Sequence, residues 1–164
     1  MPIFAIFAVE KVTGGSVELV GIAVSVHLVA RIIFELISGR QLTGNIEQKK
    51  FIYTIIGIFI MSISNFGLAF THNIPALLFF FGLAGCGLGI CSPAKSALFS
   101  IHLDKKAASA EWGLYDGAIL TGIAVASALG GFIAKIYGFQ ILFLSSAMIM
   151  IISTIPYFLY LKKK

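Results

Sequence analysis

Five stretches of the 164-residue sequence are long and apolar enough to cross a lipid bilayer. A membrane-spanning helix needs roughly 20 residues, because the hydrocarbon layer is about 30 Å thick. Inside that layer the backbone must satisfy its own hydrogen bonds, and a helix does so within one segment. The sequence therefore predicts transmembrane helices over residues 17–38, 51–70, 75–98, 112–134 and 139–161.

Composition agrees with a membrane location. Charged residues make up 12% of the chain, whereas an average globular domain has about 25%. So few charges could not cover the surface of a water-soluble fold. We therefore expect an all-α polytopic membrane protein whose surroundings are the lipid bilayer. The composition excludes a soluble enzyme, a disordered chain and a nucleic-acid-binding domain.

Motifs of soluble enzymes are absent from the sequence. It contains no phosphate-binding glycine loop with Lys-Ser/Thr, no HExxH and no GxSxG. His72 and His102 have no partner at metal-ligand spacing, and Cys86 and Cys91 do not form a CxxC pair. We therefore expect no enzymatic activity, no metal and no cofactor, and we interpret the cysteines as buried thiols.

The connections between the predicted spans divide the basic residues unequally. One side holds eight Lys and Arg residues and the other holds two: Arg40, Lys49, Lys50, Lys105, Lys106 and Lys162, Lys163, Lys164 against Lys11 and Lys135. Basic residues concentrate in cytoplasmic loops of membrane proteins. The first side is therefore predicted to face the cytoplasm of a multi-pass plasma-membrane protein, with the C-terminus on that side.

The apolar stretch at residues 1–9 is too short to span, since nine helical residues cover only about 14 Å. It also lacks the basic start and the small-residue cleavage site of a signal peptide. We interpret it as the remnant of a first helix. The chain is then expected to be a fragment, or to have its true start upstream of Met1.

Three ionisable side chains lie on one face of the first span. His27, Arg31 and Glu35 recur at every fourth residue, and ionisable groups at membrane depth usually face protein or a wet cavity. His27 is near the middle of the span, where a histidine could relay protons or substrate. The alternative is a hydrogen bond to a neighbouring helix. Arg31 and Glu35 are interpreted as a supporting ion pair.

Small residues form a continuous stripe along the fourth span and predict close helix packing. The stripe recurs at every fourth position: Ala118, Gly122, Ala126, Gly130 and Ala134.

Two further polar residues are candidates for a cavity or for ion coupling. Asp116 lies at the start of the fourth span, where a carboxylate could instead stabilise the helix N-terminus. Asn65 lies in the second span, where an amide could also hydrogen-bond across helices. With His27, these residues make up the predicted cavity set.

The fourth span has a glycine spacing that resembles a fifth-helix motif of the major facilitator superfamily, Gly-x8-Gly-x3-Gly-Pro-x2-Gly-Gly, found in its antiporter branches. The matching positions are Gly113, Gly122, Ala126, Ser127, Gly130 and Gly131. The third Gly and the Pro of the motif are therefore Ala and Ser in this chain.

Other segments resemble the N-terminal half of the same family. Residues 39–50 occupy the place of its helix 2–3 loop, and residues 85–94 resemble its helix four. Phe81 stands where the family has an Arg that is tied to proton coupling. The resemblance implies a half-bundle with five transmembrane helices plus a truncated first helix.

The resemblance also implies a function. Complete members have two six-helix halves with substrate between them near the midplane. We therefore expect transport of a small solute by alternating access, with this chain as half of a transporter. The other half would be a second copy in a parallel homodimer or a separate polypeptide. The alternatives are a non-transporting membrane scaffold and an incomplete transporter fragment.

Overall fold

The computed structural model describes residues 2–44 and 46–163. In these ranges the secondary structure is helical, without strands: α1 (Pro2–Glu10), α2 (Val17–Gln41), α3 (Glu47–Leu68), α4 (Ile74–His102), α5 (Ala108–Ile152) and α6 (Ile155–Lys163). Four helical stretches are long and apolar enough to cross a membrane, and the last of them runs through α5 into α6. The predicted all-α membrane half-bundle is confirmed.

Gly138 divides α5 into two arms. Its φ of 87° and ψ of 166° are non-helical, and a positive φ of this kind is readily adopted only by glycine. The first arm, residues 108–137, contains the fourth predicted span. The second arm, residues 139–152, leads into α6.

The structure interrupts the span predicted over 139–161, because α5 ends at Ile152 and α6 begins at Ile155. Pro156 explains the break. It has no N–H to donate to the preceding turn, and proline is well tolerated in the first turn of a new helix. In the connecting turn, the buried Thr154 hydroxyl donates to a carbonyl of the preceding turn at 2.6 Å.

α4 lies at the centre of the bundle and packs between α2 and α3. Its glycines allow both contacts. A Cβ added at Gly87 would lie 2.7 Å from the carbonyl oxygen of Gly57 in α3, and one added at Gly89 would lie 2.5 Å from the carbonyl oxygen of Arg31 in α2. Small residues let membrane helices approach backbone to backbone. The close helix contacts of this bundle are therefore made by α4.

α1 packs into the bundle although it is too short to span. Phe4 stacks on Phe81 of α4 with ring centroids 3.7 Å apart, and Phe7 meets Phe143 of α5 edge-on at 4.8 Å. All four rings are buried. The chain then turns back at Gly15, where a Cβ would collide with carbonyl groups of α1.

The first arm of α5 is the exposed part of the bundle. Leu114, Leu120 and Phe132 are 74%, 64% and 60% exposed. Among the residues described, Gly130 is the single buried residue of this arm. The arm therefore presents a long helix face with no neighbouring helix from this chain.

The basic loops meet at one end of the bundle, which we call the lysine-rich end. There α2, α4 and α6 finish, and α3 and α5 begin. Most of its basic residues are in the connecting loops or at the adjoining helix ends: Arg40, Lys49, Lys50, Lys105, Lys106 and Lys162.

Candidate functional site

A cleft of about 270 Å³ lies between α1, α3 and the two arms of α5. We call it the α5 cleft. Its polar groups come from Asn65, Ser127 and Ser146, and the rest of the lining is apolar or glycine: Ile3, Phe4, Ile123, Ala126, Gly130, Leu142 and Phe143. A concave, largely apolar surface with a few polar groups is typical of small-molecule sites. The α5 cleft is therefore the candidate site.

Asn65 places an amide at the cleft. Its Nδ2 donates to the Met61 carbonyl of its own helix at 2.9 Å and lies 3.6 Å from the Met150 Sδ. In the part of the chain that the structure describes, no donor reaches Oδ1. The amide oxygen is therefore an acceptor for a ligand in the cleft.

Asp116 lies on the same face of α5 as the cleft residue Ile123, because seven residues bring a helical side chain back to one face after two turns. Asp116 is exposed. Neither ion pair found within residues 2–44 and 46–163 includes it. Asp116 does not line the α5 cleft, so Asn65 is the one member of the predicted cavity set that does.

His27 lies elsewhere, buried between α2 and α4. Its Nδ1 is 3.0 Å from the Phe81 carbonyl oxygen, and its ring stacks on the Phe81 ring with centroids 4.7 Å apart. A carbonyl oxygen only accepts, so Nδ1 is the protonated nitrogen. Phe81 stacks in turn on Phe4, which lines the cleft. His27 is thus outside the cleft, and its geometry matches the alternative of a hydrogen bond to a neighbouring helix.

Arg31 and Glu35 form an ion pair, with 3.1 Å between Nε and Oε2. Their side chains are 36% and 40% exposed. Both belong to α2, and neither lines the α5 cleft. The pair is therefore separate from the candidate site.

The spacing of the fifth-helix motif predicts close contact with a neighbouring helix, and few of its residues make such a contact within this chain. An added Cβ would meet no atom within 4 Å at Gly113, Gly122 or Gly131. At Gly130 it would lie 3.1 Å from the Ile3 side chain, while Ala126 and Ser127 line the cleft. Within the described residues, Gly130 is thus the motif glycine with a close neighbour, and close helix packing at the other motif glycines stays a prediction.

Several cleft residues were not predicted. Phe4, Phe143 and Ser146 reach the cleft from α1 and from the second arm of α5. Spacing along one helix groups residues of that helix, and it does not say which residues of separate helices meet. The paired aromatic residues of α1 and α4 were likewise indistinguishable from other apolar residues in the sequence.

Comparison with known proteins finds a family and relatives. The family profile described as Major Facilitator Superfamily matches residues 1–164. The "Uncharacterized MFS-type transporter YttB" of Bacillus subtilis (strain 168) is 31% identical over 131 residues, covering 76% of this chain and 32% of that protein. The "Multi-drug resistance efflux pump PmrA" of Streptococcus pneumoniae serotype 4 is 28% identical over 166 residues, covering 99% of this chain and 40% of that protein.

The chain therefore spans between 32% and 40% of the length of these curated relatives. No solved structure matches it.

Proposed function

Because the chain belongs to the major facilitator superfamily, we propose that it forms half of a transporter that moves a small solute by alternating access. The observation that supports this most directly is the open α5 cleft, which is lined by the polar side chains of Asn65 and Ser127. Paired repeats of membrane transporters bind substrate at the interface between them. A second half placed against α5 would close the cleft around a solute.

We propose that a second copy of the chain, or a separate second half, covers the first arm of α5. The first arm leaves room for a close approach, since its Gly113, Gly117 and Gly122 have no neighbour within 4 Å of an added Cβ. Two copies related by a two-fold axis along the membrane normal would form a parallel homodimer.

The chemistry of the cleft favours a lipophilic cation as the solute. Its walls are mostly apolar, and the Asp116 carboxylate, outside the cleft but seven residues before Ile123 on the same helix face, has no ion-pair partner among the described residues. The pneumococcal relative is named a multi-drug resistance efflux pump, and we propose that this chain likewise takes part in solute export.

We further propose that the lysine-rich end and the C-terminus face the cytoplasm of a plasma membrane. The eight-to-two division of Lys and Arg between the two sides supports this orientation. A C-terminal fusion to green fluorescent protein should fluoresce, and a C-terminal fusion to alkaline phosphatase should be inactive. The opposite pattern would overturn the orientation.

Transport is tested with ethidium in vesicles that contain the chain, alone and together with a second half. Asp116→Asn should lower transport about tenfold, the factor that corresponds to loss of about 1.4 kcal/mol of charge attraction. Ser25→Ala is the matched control, since the exposed Ser25 hydroxyl donates to the Gly21 carbonyl of its own helix at 2.9 Å. Equal transport by both variants would overturn the role of Asp116. No transport by a chain present in the membrane at normal levels would favour the scaffold alternative.

A further inference from the structure

A second cavity, of about 310 Å³, lies near the lysine-rich end between α3, α4, the first arm of α5 and α6. We call it the aromatic pocket. Four aromatic rings and two basic side chains line it: Phe51, Phe99, Tyr115, Tyr157, Lys95 and His102. These residues come from four helices, and none belongs to the α5 cleft.

Lys95 gives the aromatic pocket an unbalanced charge. No carboxylate lines the pocket, and Lys95 takes part in neither ion pair of the described chain. Its ammonium group has the Cys91 thiol as a hydrogen-bond partner, and a protonated thiol does not neutralise a positive charge. His102 differs, because its Nε2 lies 3.7 Å from Glu47 Oε1. Lys95 is therefore the cation that an anionic ligand would meet.

Two tyrosines add hydrogen-bond donors beside this cation. Within residues 2–44 and 46–163, the hydroxyls of Tyr115 and Tyr157 take part in none of the hydrogen bonds found. Phe99 stacks on the Tyr115 ring with centroids 4.4 Å apart, and Phe51 lies 5.9 Å from the Tyr157 ring. The pocket thus combines one ammonium group and two phenolic donors with apolar ring faces. That combination suits an anion attached to an apolar group.

The depth of the pocket in the membrane points to a lipid. Lys95 follows Ile74, the first residue of α4, by 21 positions, which is about 32 Å along a helix. The hydrocarbon layer is about 30 Å thick. When α4 begins at one interface, Lys95 therefore lies at the other, where acyl chains give way to headgroups. Tyrosine and tryptophan are enriched at this level of membrane proteins.

From these observations we infer that the aromatic pocket binds the phosphate headgroup of an anionic phospholipid. The Lys95 ammonium pairs with the phosphate, the Tyr115 and Tyr157 hydroxyls donate to its oxygens, and the ring faces pack against the glycerol and upper acyl carbons. The volume of about 310 Å³ accommodates a headgroup and leaves the acyl chains in the bilayer. This inference does not depend on the proposed transport.

The single tryptophan of the chain reports on this pocket. The Trp112 ring centroid lies 4.8 Å from that of Phe99. Acyl chains labelled with bromine quench tryptophan fluorescence on contact. The full chain is reconstituted into two kinds of phosphatidylcholine vesicle. In the first, a minor fraction of the lipid is brominated phosphatidylglycerol. In the second, the same fraction is brominated phosphatidylcholine.

For the unmodified chain we expect phosphatidylglycerol to be enriched at Trp112 about fivefold over phosphatidylcholine, a factor that corresponds to about 1 kcal/mol for one basic residue at an anionic surface. Lys95→Gln should abolish the preference, and Lys95→Arg should keep it. Lys106→Gln is the control, since this exposed loop residue at the same end does not line the pocket. Tyr115→Phe with Tyr157→Phe should weaken the preference while keeping both rings.

Equal quenching by the two brominated lipids in the unmodified chain would overturn the inference, as would an unchanged preference in Lys95→Gln. Water-soluble glycerol 3-phosphate is added in a separate arm. If it reverses the quenching, the pocket binds a free phosphate ester and the lipid assignment is wrong. If Lys95→Gln fails to fold, the double tyrosine variant tests the same site. No arm measures transport, so failure here is distinct from failure of the proposed function.

Discussion

The glycines of this chain occur in two opposite environments. Gly57 and Gly87 lie where α3 and α4 meet, and a Cβ on either would come within 2.7 Å of a backbone oxygen of the facing helix. Gly117 and Gly122 lie on the open face of α5 and have no neighbour within 4 Å of an added Cβ. Substitution of glycine should therefore be poorly tolerated at the α3–α4 contact and well tolerated on the open face of α5.

Gly87→Ala should destabilise the bundle by about 1–3 kcal/mol, because the extra methyl group forces α3 and α4 apart. Gly117→Ala should be neutral or stabilising by about 0.5–1 kcal/mol, since alanine favours an exposed helix over glycine. The midpoint of thermal unfolding in detergent measures both. Equal shifts for the two variants would contradict the packing described for α4.

His27→Phe keeps the aromatic stack on Phe81 and removes the hydrogen bond from Nδ1. We expect a loss of about 1 kcal/mol of stability, the usual net contribution of one hydrogen bond. Ethidium transport should persist, because two rings separate His27 from the α5 cleft. Loss of transport at normal membrane levels would instead favour the proton relay that the sequence left open.

At the scale of elements, two of the long helices, α2 and α4, begin at a residue whose side chain caps the helix. Ser16 Oγ accepts from the Leu19 N–H at 3.1 Å, and Asn73 Oδ1 accepts from the Ala76 N–H at 2.9 Å. These caps lie next to apolar runs whose length alone predicts a spanning helix. Hydropathy and capping are properties of one segment, which is why the presence of several long apolar helices follows from the sequence.

Proline was an ambiguous signal at this scale. Pro93 lies inside α4, which continues past it to His102, whereas Pro156 coincides with the break before α6. Neighbouring helices can re-satisfy the backbone groups that a proline frees, so the effect of a proline on a helix depends on packing.

The α5 cleft and the aromatic pocket also depend on packing, because each combines side chains from several elements. Of the predicted cavity set, only Asn65 lines the cleft.

The bend of α5 has a testable backbone requirement. Gly138→Ala places a Cβ on a residue with φ of 87°, and we expect a loss of about 1–2 kcal/mol. Gly131→Ala is the matched control, because Gly131 lies in the same helix with no neighbour within 4 Å of an added Cβ. Chemical denaturation in detergent compares the two. Equal stability would mean that the bend tolerates another conformation.

At the scale of the whole molecule, assembly through the open face of α5 is the central prediction. Gly122→Leu should block the close approach of a second half and leave single chains in lipid nanodiscs. Gly21→Leu is the control, since Gly21 of α2 also has no neighbour within 4 Å of an added Cβ. Native mass spectrometry reports the particle mass. If the unmodified protein is found only as single chains, with or without a co-expressed second half, the assembly prediction is wrong. The first arm of α5 would then face lipid.

The central place of α4 has a consequence for the order in which the protein is built. Gly87 and Gly89 approach the backbones of α3 and α2, and both of these helices precede α4 in the chain. A chain is synthesised from its N-terminus, and its parts fold as they emerge. The three central helices can therefore assemble in the bilayer while α5 is still on the ribosome. α5 then packs against helices that are already assembled. Its first arm stays available for contact with the proposed second half.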